Sequence, residues 1–381
     1  MDRIFHLFLM PILQHMKKRT LFFSLCCSLF LCQCNNAQTP DAVQNIIIVT
    51  TDGFRWQEMF NGIDSALAND PAFNQGKKEE LYSKYGAPTP GERRKKLLPF
   101  MWSTMAGQGQ LYGNRKYGNK VEDSNPYWFS YPGYSEIFCG YVDTKVNSND
   151  YMSNPNTNVL EFLQQQNELK GKVAAFGAWN AFDRILNEQR SGFPVVCGRE
   201  DCGGFHPDST EQRINKMKKE SYNPFDTSEQ LDVFTHNAAL HYLQKNRPRV
   251  LYISYGETDE WAHQGRYLDY LDAAHRVDAW LGELWAFVQN TEGYKGKTIL
   301  FITVDHGRGE GVQWTSHNSK VPNSFQTWFA VIGAGISGEG EIKKPMTIYQ
   351  KQYAQSFAGW LGYEFKCEHE VAEGVVGRRK K

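Results

Sequence analysis

Asn45-Ile-Ile-Ile-Val-Thr-Thr51, followed at once by Asp52 and Gly53, is the stretch whose reading decides the fold. Its Ile, Val and Thr residues run without polar alternation. Such a run fits a strand covered on both faces, as strands of parallel sheets are. Arg249-Val-Leu-Tyr-Ile-Ser-Tyr255 and Thr298-Ile-Leu-Phe-Ile-Thr-Val304 have the same character. Shorter strands are expected at 110–113, 172–177 and 328–332. Helical patterns cover 157–168 (with Asn156 or Thr157 as N-cap), 228–245, 267–289 and 347–361. Strands alternating with helices predict an α/β fold: a doubly wound, mostly parallel sheet with helices on both faces. The charged run 92–96 reads as a solvated helix edge. Residues 184–227 show weak periodicity and read as an insertion or lid over the domain edge, a kind of excursion that is often functional.

Composition narrows the classes. The 381 residues carry 42 Lys+Arg against 42 Asp+Glu, a net charge of zero that leaves no electrostatic footprint for a nucleic-acid duplex or an anionic membrane. A hydrophobic fraction of 41% supports a sizeable core, and 33 Gly with 15 Pro argue against collagen-like or disordered chains. Lys17-Lys18-Arg19 precede an apolar run from Leu21 to Cys32, too short for the roughly 20 residues of a transmembrane helix. This pattern predicts a signal peptide over 1–37, with Met16 as a possible start, and a catalytic domain over 38–381. Cys34 as a lipid anchor and cleavage near Ala37 are both open, so the expected location is periplasmic, outer-membrane-associated or secreted. No transmembrane span is expected once the leader is removed. Beyond the leader lie Cys139, Cys197, Cys202 and Cys367, with no CxxC pair, which argues against a thiolate zinc site. Cys197 and Cys202 are read either as a small disulfide loop or as two free buried thiols. The basic tail 378–381 is expected to be disordered.

Three strand candidates end in acids: Thr51-Asp52-Gly53, Glu257-Thr258-Asp259 and Val304-Asp305-His306-Gly307. Ligands of open parallel sheets gather beyond the carboxyl ends of the strands. Carboxylates converging there call for a cation. Asp259 and His263 are four apart and share a helical face. His306 adjoins Asp305, and His317 follows eleven residues later. Three Asp and three His without sulfur suit zinc, or less often manganese or iron. For a nucleophile, Ser130 stands just before Pro132-Gly133, read as a turn ahead of an apolar, helix-like segment. A hydroxyl there would face the first free N–H groups of a helix, which favour anions. Ser103 and Ser135 are competitors.

The order Asp52-Gly53, Ser130-Tyr-Pro-Gly-Tyr134, Asp259-x-x-x-His263, Asp305-His306-Gly307 and His317 resembles the alkaline phosphatase superfamily, and within it the branch of nucleotide pyrophosphatase/phosphodiesterases. There a Thr-Phe-Pro-Asn-His segment carries the nucleophile, with a Gly ten residues on; here Gly140 keeps that spacing. The resemblance spans about 45–332. It implies two zinc sites: Asp259, His263 and His317 for one ion, and Asp52, Ser130, Asp305 and His306 for the other, with manganese or another divalent ion as a substitute. It also implies an Asn holding a phosphoryl oxygen, for which Asn147 and Asn149 are candidates. Tyr134 stands where sulfatases of the superfamily carry Arg, which argues against a formylglycine sulfatase. Arg308 has no counterpart role assigned.

The expectation is an exported two-metal hydrolase that cleaves phosphate esters, monoester or diester, through a phosphoseryl intermediate. Its partner is a small-molecule phosphoester; the oligomeric state is open. A sulfatase-like or phosphonate hydrolase on the same scaffold, and a non-catalytic envelope binding protein, are the alternatives.

Overall fold

The computed structural model describes residues 43–375. The expected signal segment, Cys34 and the 378–381 tail lie outside the described residues. Eleven strands are present among them: β1 (Asn45–Thr51), β2 (Gln110–Tyr112), β3 (Asn119–Glu122), β4 (Val173–Gly177), β5 (Val195–Cys197), β6 (Val250–Tyr255), β7 (Thr298–Thr303), β8 (Gln326–Thr327), β9 (Phe329–Gly333), β10 (Gly340–Glu341) and β11 (Met346–Tyr349). Eight form one sheet in the order β10-β2-β9-β7-β1-β6-β4-β5. β1 is central and parallel to β6 and β7; β9 is antiparallel to both β7 and β2. The sheet is thus mostly parallel, with one reversed strand.

Every residue of β1, β6 and β7 is buried, because alternate side chains enter two separate cores. Ile47 and Val49 join Leu251, Ile253, Leu300 and Ile302 beneath helices Asp232–Asn246 and Tyr267–Asn290. Ile46 and Ile48 join Val250, Tyr252, Ile299 and Phe301 beneath helices Ser130–Cys139, Val159–Gln164 and Tyr353–Trp360. A strand with no polar face is what this double covering selects.

Three expectations are corrected. The helix placed at 157–168 is Val159–Gln164, capped by Asn158, whose Oδ1 accepts from Glu161 N at 2.9 Å; Asn156 instead donates to Asp143 at 3.0 Å. The helix placed at 347–361 begins at Tyr353, because Met346–Tyr349 pairs with β3 in a second sheet of order β11-β3-β8. The excursion 184–227 is not irregular. It supplies the edge strand β5, parallel to β4, and helix Ser209–Glu220, started by an Asp208–Glu211 capping box. Its strand is short, and its helix buries Glu211, Asn215 and Lys218 beside a single apolar residue, Ile214, so the inward face is mostly polar. Cys197 and Cys202 are both free and buried: their Sγ atoms turn to Asn180 O and Asn215 Oδ1, each at 3.2 Å. Among the described residues no helix is long and apolar enough to cross a membrane.

Candidate metal centre and nucleophile

Parallel register brings the three acidic strand ends to one edge. Thr51 lies opposite Tyr255, and Thr50 opposite Thr303. Asp52 therefore emerges beside helix Glu257–His263, which carries Asp259 and His263, and beside Asp305-His306 after β7. His317 comes in from the loop after the short 3-10 turn Gly311–Thr315. Ser130 opens helix Ser130–Cys139, all ten residues of which are buried. Pro132 and Gly133 belong to that helix rather than to a turn. Gly133 is needed for contact: a Cβ there would lie 2.4 Å from Asp305 O. Its absence lets the serine-bearing helix press against the strand end that carries Asp305.

Two contiguous donor groups result. In one, His263 Nε2 lies 2.9 Å from Asp259 Oδ2 and 3.0 Å from His317 Nε2, and His317 Nε2 lies 3.5 Å from Asp259 Oδ1. In the other, His306 Nε2 faces Asp52 Oδ1 at 3.2 Å, Ser130 Oγ at 3.3 Å and Asp305 Oδ2 at 3.4 Å. The His306 and His317 rings stack, centroids 3.8 Å apart. His306 Nδ1 donates to Gly307 O at 2.9 Å and His317 Nδ1 to Trp128 O at 3.3 Å. Those bonds fix both rings with Nε2 turned to the carboxylates.

The donors fit divalent ions on the structure's own terms. Asp52 Oδ1 and Asp305 Oδ2 are buried without a hydrogen-bond partner, which is costly for a carboxylate unless a cation meets it. Gly53, at φ +57°, keeps the centre open: a Cβ would lie 2.8 Å from Asp259 Oδ1 and 2.9 Å from Arg308 Nη1. Charges are strongly coupled here. Burial and the neighbouring Asp52 hold Asp305 well above the carboxylate range. Burial opposes the charge on His306, yet Asp305 and Asp52 raise it to about 9. Burial and His306 push His317 well below the imidazole range. Burial also works against ionised Asp259, but His263 and Arg308 pull it well below its usual value.

Sequence reasoning missed two side chains and left one choice open. Arg308 is buried, with Nη1 on Asp259 Oδ1, Nε on Trp314 O and Nη2 on Thr315 O, the last two at 2.8 Å. Tyr134 donates to Asp52 Oδ2 at 2.9 Å. Neither belongs to a periodic pattern; their only signal is closeness to Asp305-His306-Gly307 and to Ser130. Of the two asparagines, Asn149 Oδ1 accepts from Tyr131 N at 3.0 Å, whereas Asn147 is exposed. That bond corrects the expected cluster of free N–H groups at Ser130: Asn149 occupies the Tyr131 N–H, and Pro132 has none. Ser135 bonds Asn154 Nδ2 at 3.0 Å, and Ser103 is exposed with Oγ on Pro99 O at 2.7 Å, so neither competitor joins the centre. A separate trio, Asp208, Glu211 and His241, could geometrically hold an ion. It is closed by Lys245 Nζ at 2.8 Å from Asp208 and 3.0 Å from Glu211.

The Metalloenzyme superfamily model matches residues 213–325, a span holding Asp259, His263, Asp305, His306 and His317 but neither Asp52 nor Ser130. The chain is similar to the Probable 2,3-bisphosphoglycerate-independent phosphoglycerate mutase of Leptospira interrogans, at 23% identity over 60% of this chain and 46% of that one. It thus spans about half the length of the curated relatives it matches. Among solved structures, alkaline phosphatase PafA is similar with a TM-score of 0.56 at 11% identity, over 88% of this chain and 98% of that one. The lipoteichoic acid synthase LtaP from Listeria monocytogenes is similar with a TM-score of 0.53 at 13% identity, over 86% and 74%. The fold is therefore alkaline phosphatase-like. The family match and the fold agree with the superfamily that the motif order implies; they do not single out the nucleotide pyrophosphatase/phosphodiesterase branch.

Proposed function

We propose that this protein is an exported two-metal hydrolase that cleaves phosphate esters by way of a phosphoseryl intermediate on Ser130. The observation that carries this reading is Ser130 Oγ 3.3 Å from His306 Nε2, beside the unpartnered oxygens of Asp52 and Asp305. Asp259, His263 and His317 would hold one ion; Asp52, Asp305, His306 and Ser130 the other. The mixture of imidazole and carboxylate favours zinc over harder ions. Divalent ions so held would supply Lewis-acid charge that lowers the serine hydroxyl's pKa and neutralises developing negative charge.

Ser130 Oγ gives up its proton and attacks phosphorus; its bond to phosphorus forms as the bond to the leaving oxygen breaks, and the leaving oxygen takes up a proton. Helix Ser130–Cys139, pressed on Asp305, fixes the direction of attack. Water then attacks the same phosphorus, breaking the Ser130 ester and restoring the hydroxyl. Asn149, whose Oδ1 is committed to Tyr131 N, is left with its amide N–H groups to donate to a phosphoryl oxygen. The relatives named as an alkaline phosphatase and a phosphoglycerate mutase support phosphorus chemistry. The basic residues 17–19 ahead of the short apolar run 21–32 support the reading of export.

Ser130→Ala should keep the fold and the metal content while turnover falls at least ~10³-fold, as losing a nucleophile does elsewhere. Near-normal turnover would overturn the covalent step. Ordering an aryl phosphate, an aryl phosphodiester and an aryl sulfate by kcat/KM separates monoesterase, diesterase and sulfatase; fastest cleavage of the sulfate would refute the phosphoester assignment.

A further inference from the structure

Trp128 has a left-handed backbone, at φ +57°. Glycine favours that region and asparagine accepts it; for a bulky side chain it is an outlier that the surroundings must hold in place. Burial of the indole does not account for it. The ring is only partly buried, against Phe325, with centroids 5.1 Å apart. What the conformation does is aim a carbonyl: Trp128 O accepts from His317 Nδ1 at 3.3 Å. One extended residue later, Phe129 at φ −149°, the chain reaches Ser130.

The serine's own helix holds this segment. Asn125 Oδ1 accepts from Tyr127 N and from Trp128 N, each at 3.0 Å. Asn125 is fixed in turn by Glu136, within helix Ser130–Cys139: Glu136 Oε2 accepts from Asn125 N at 2.8 Å and from Asn125 Nδ2 at 3.0 Å. Residues 124–129 are therefore a strap anchored to the helix body at Glu136 and leading into it at Ser130. Contacts then close a circuit. Ser130 Oγ lies 3.3 Å from His306 Nε2, the His306 ring stacks on His317 at 3.8 Å, His317 bonds Trp128 O, and the chain runs from Trp128 back to Ser130. A negative φ at Trp128 would turn its carbonyl away from His317 and re-aim the two residues that follow. The orientation of a metal-binding imidazole is set by the partner of its other ring nitrogen.

We propose that Trp128 is a positioning residue: its left-handed backbone orients His317 toward the ion shared with Asp259 and His263, and the same strap keeps Ser130 in register with that histidine. The inference rests on the two-metal reading above. It assigns the role to the backbone of Trp128 rather than to its ring.

The test exchanges Trp128 for three residues that all lack the indole and differ in tolerance of positive φ. Asn enters that region readily, Ala less so, and β-branched Val least. The purified full chain is loaded with zinc and titrated with a chromophoric chelator. One of the two zinc equivalents should leave Trp128→Val at a ~10-fold lower chelator concentration than Trp128→Asn, the size of effect that a partner of a ligating histidine carries. Trp128→Ala should fall between them, and kcat in excess zinc should follow the same order. Gln75, exposed and also left-handed at φ +53°, is the control: Gln75→Asn and Gln75→Val should differ in Tm but not in zinc release. Equal zinc release from Trp128→Asn and Trp128→Val would overturn the proposal, whether both hold zinc as wild type does or both lose it. A matching difference within the Gln75 pair would overturn it too, by tracing the effect to general destabilisation. Where Trp128→Val does not fold, the Asn and Ala variants give the same decision. Wild-type protein that takes up no zinc would overturn the two-metal reading together with this one; normal wild-type uptake with indistinguishable variants overturns this one alone.

Discussion

Gly53→Ala is the sharpest single perturbation of the proposed centre. Gly53 has φ +57°, where an alanine costs roughly 1–2 kcal/mol. Its added Cβ would also lie 2.8 Å from Asp259 Oδ1, 2.9 Å from Arg308 Nη1 and 3.1 Å from His306 Cε1. None of these atoms is free to retreat. Asp259 is held by Arg308 and His263; Arg308 by Trp314 O and Thr315 O; His306 by Gly307 O. Restoring ordinary contact needs shifts of about half an ångström in side chains of both donor groups at once. A misplacement of about 1 Å can cost ~10²-fold in rate. The expected result is a folded protein with zinc affinity at least ~10-fold weaker and kcat/KM lower by ~10-fold or more. Zinc competition with a chromophoric chelator and steady-state kinetics read both. Gly76→Ala is the control: Gly76 has φ +75° but nothing within 4 Å of its would-be Cβ. It should show a comparable backbone cost in Tm and leave zinc affinity untouched. Wild-type zinc affinity and activity in Gly53→Ala would refute the assignment of this edge as the metal centre.

Asn149→Ala should cost about 0.5–2 kcal/mol in urea denaturation, as loss of a capping acceptor does, and should lower kcat/KM; Asn147→Ala, at an exposed position, should change neither. His317→Ala should make one of the two zinc equivalents removable at lower chelator concentration than the other. Loss of both ions in parallel would mean that the donor groups do not act as separate sites. Prolonged chelation should abolish hydrolysis, and added zinc should restore it; activity that survives metal removal verified by elemental analysis would contradict the two-metal reading.

The strands that position the centre were legible because burial on both faces leaves an uninterrupted apolar run, as in β1, β6 and β7. Their acidic ends were legible for a related reason: an Asp or Gly is where such a run stops. The order β7-β1-β6 was not, since a parallel strand carries no mark of its neighbours; the convergence of Asp52, Asp259 and Asp305 is a product of that order. Local pattern failed where an element is short. Thr347-Ile348-Tyr349 became strand β11 because Ile348 pairs with Val121, a partner 227 positions away in the chain that no window on 347–361 contains. Likewise, Ser130 was legible as a hydroxyl close to an apolar helix, but Pro132-Gly133 read as a turn where the helix already runs, and the use of Tyr131 N–H by Asn149 depends on a loop eighteen residues on. Arg308 and Tyr134 act singly, so only their contacts reveal them.

Arg308 allows two opposite predictions, and the geometry decides between them. Its guanidinium neutralises Asp259, so its removal could free that carboxylate for a cation and strengthen zinc binding. The same guanidinium also holds Trp314 O and Thr315 O at 2.8 Å, two or three residues before His317. Hydrogen bonds to a charged group contribute ~1.5–3 kcal/mol each. Two of them restrain the loop that delivers an imidazole to the centre, whereas the carboxylate keeps His263 as a partner in either case. The restraint should dominate: Arg308→Met should weaken the ion held by Asp259, His263 and His317. Arg308→Lys separates the effects, because an ammonium can restore the charge beside Asp259 but not the planar fork that spans two carbonyls. Both variants should therefore lose zinc at similar chelator concentrations. Tighter zinc in Arg308→Met with wild-type affinity in Arg308→Lys would show that charge, not the positioning of His317, is what this arginine contributes.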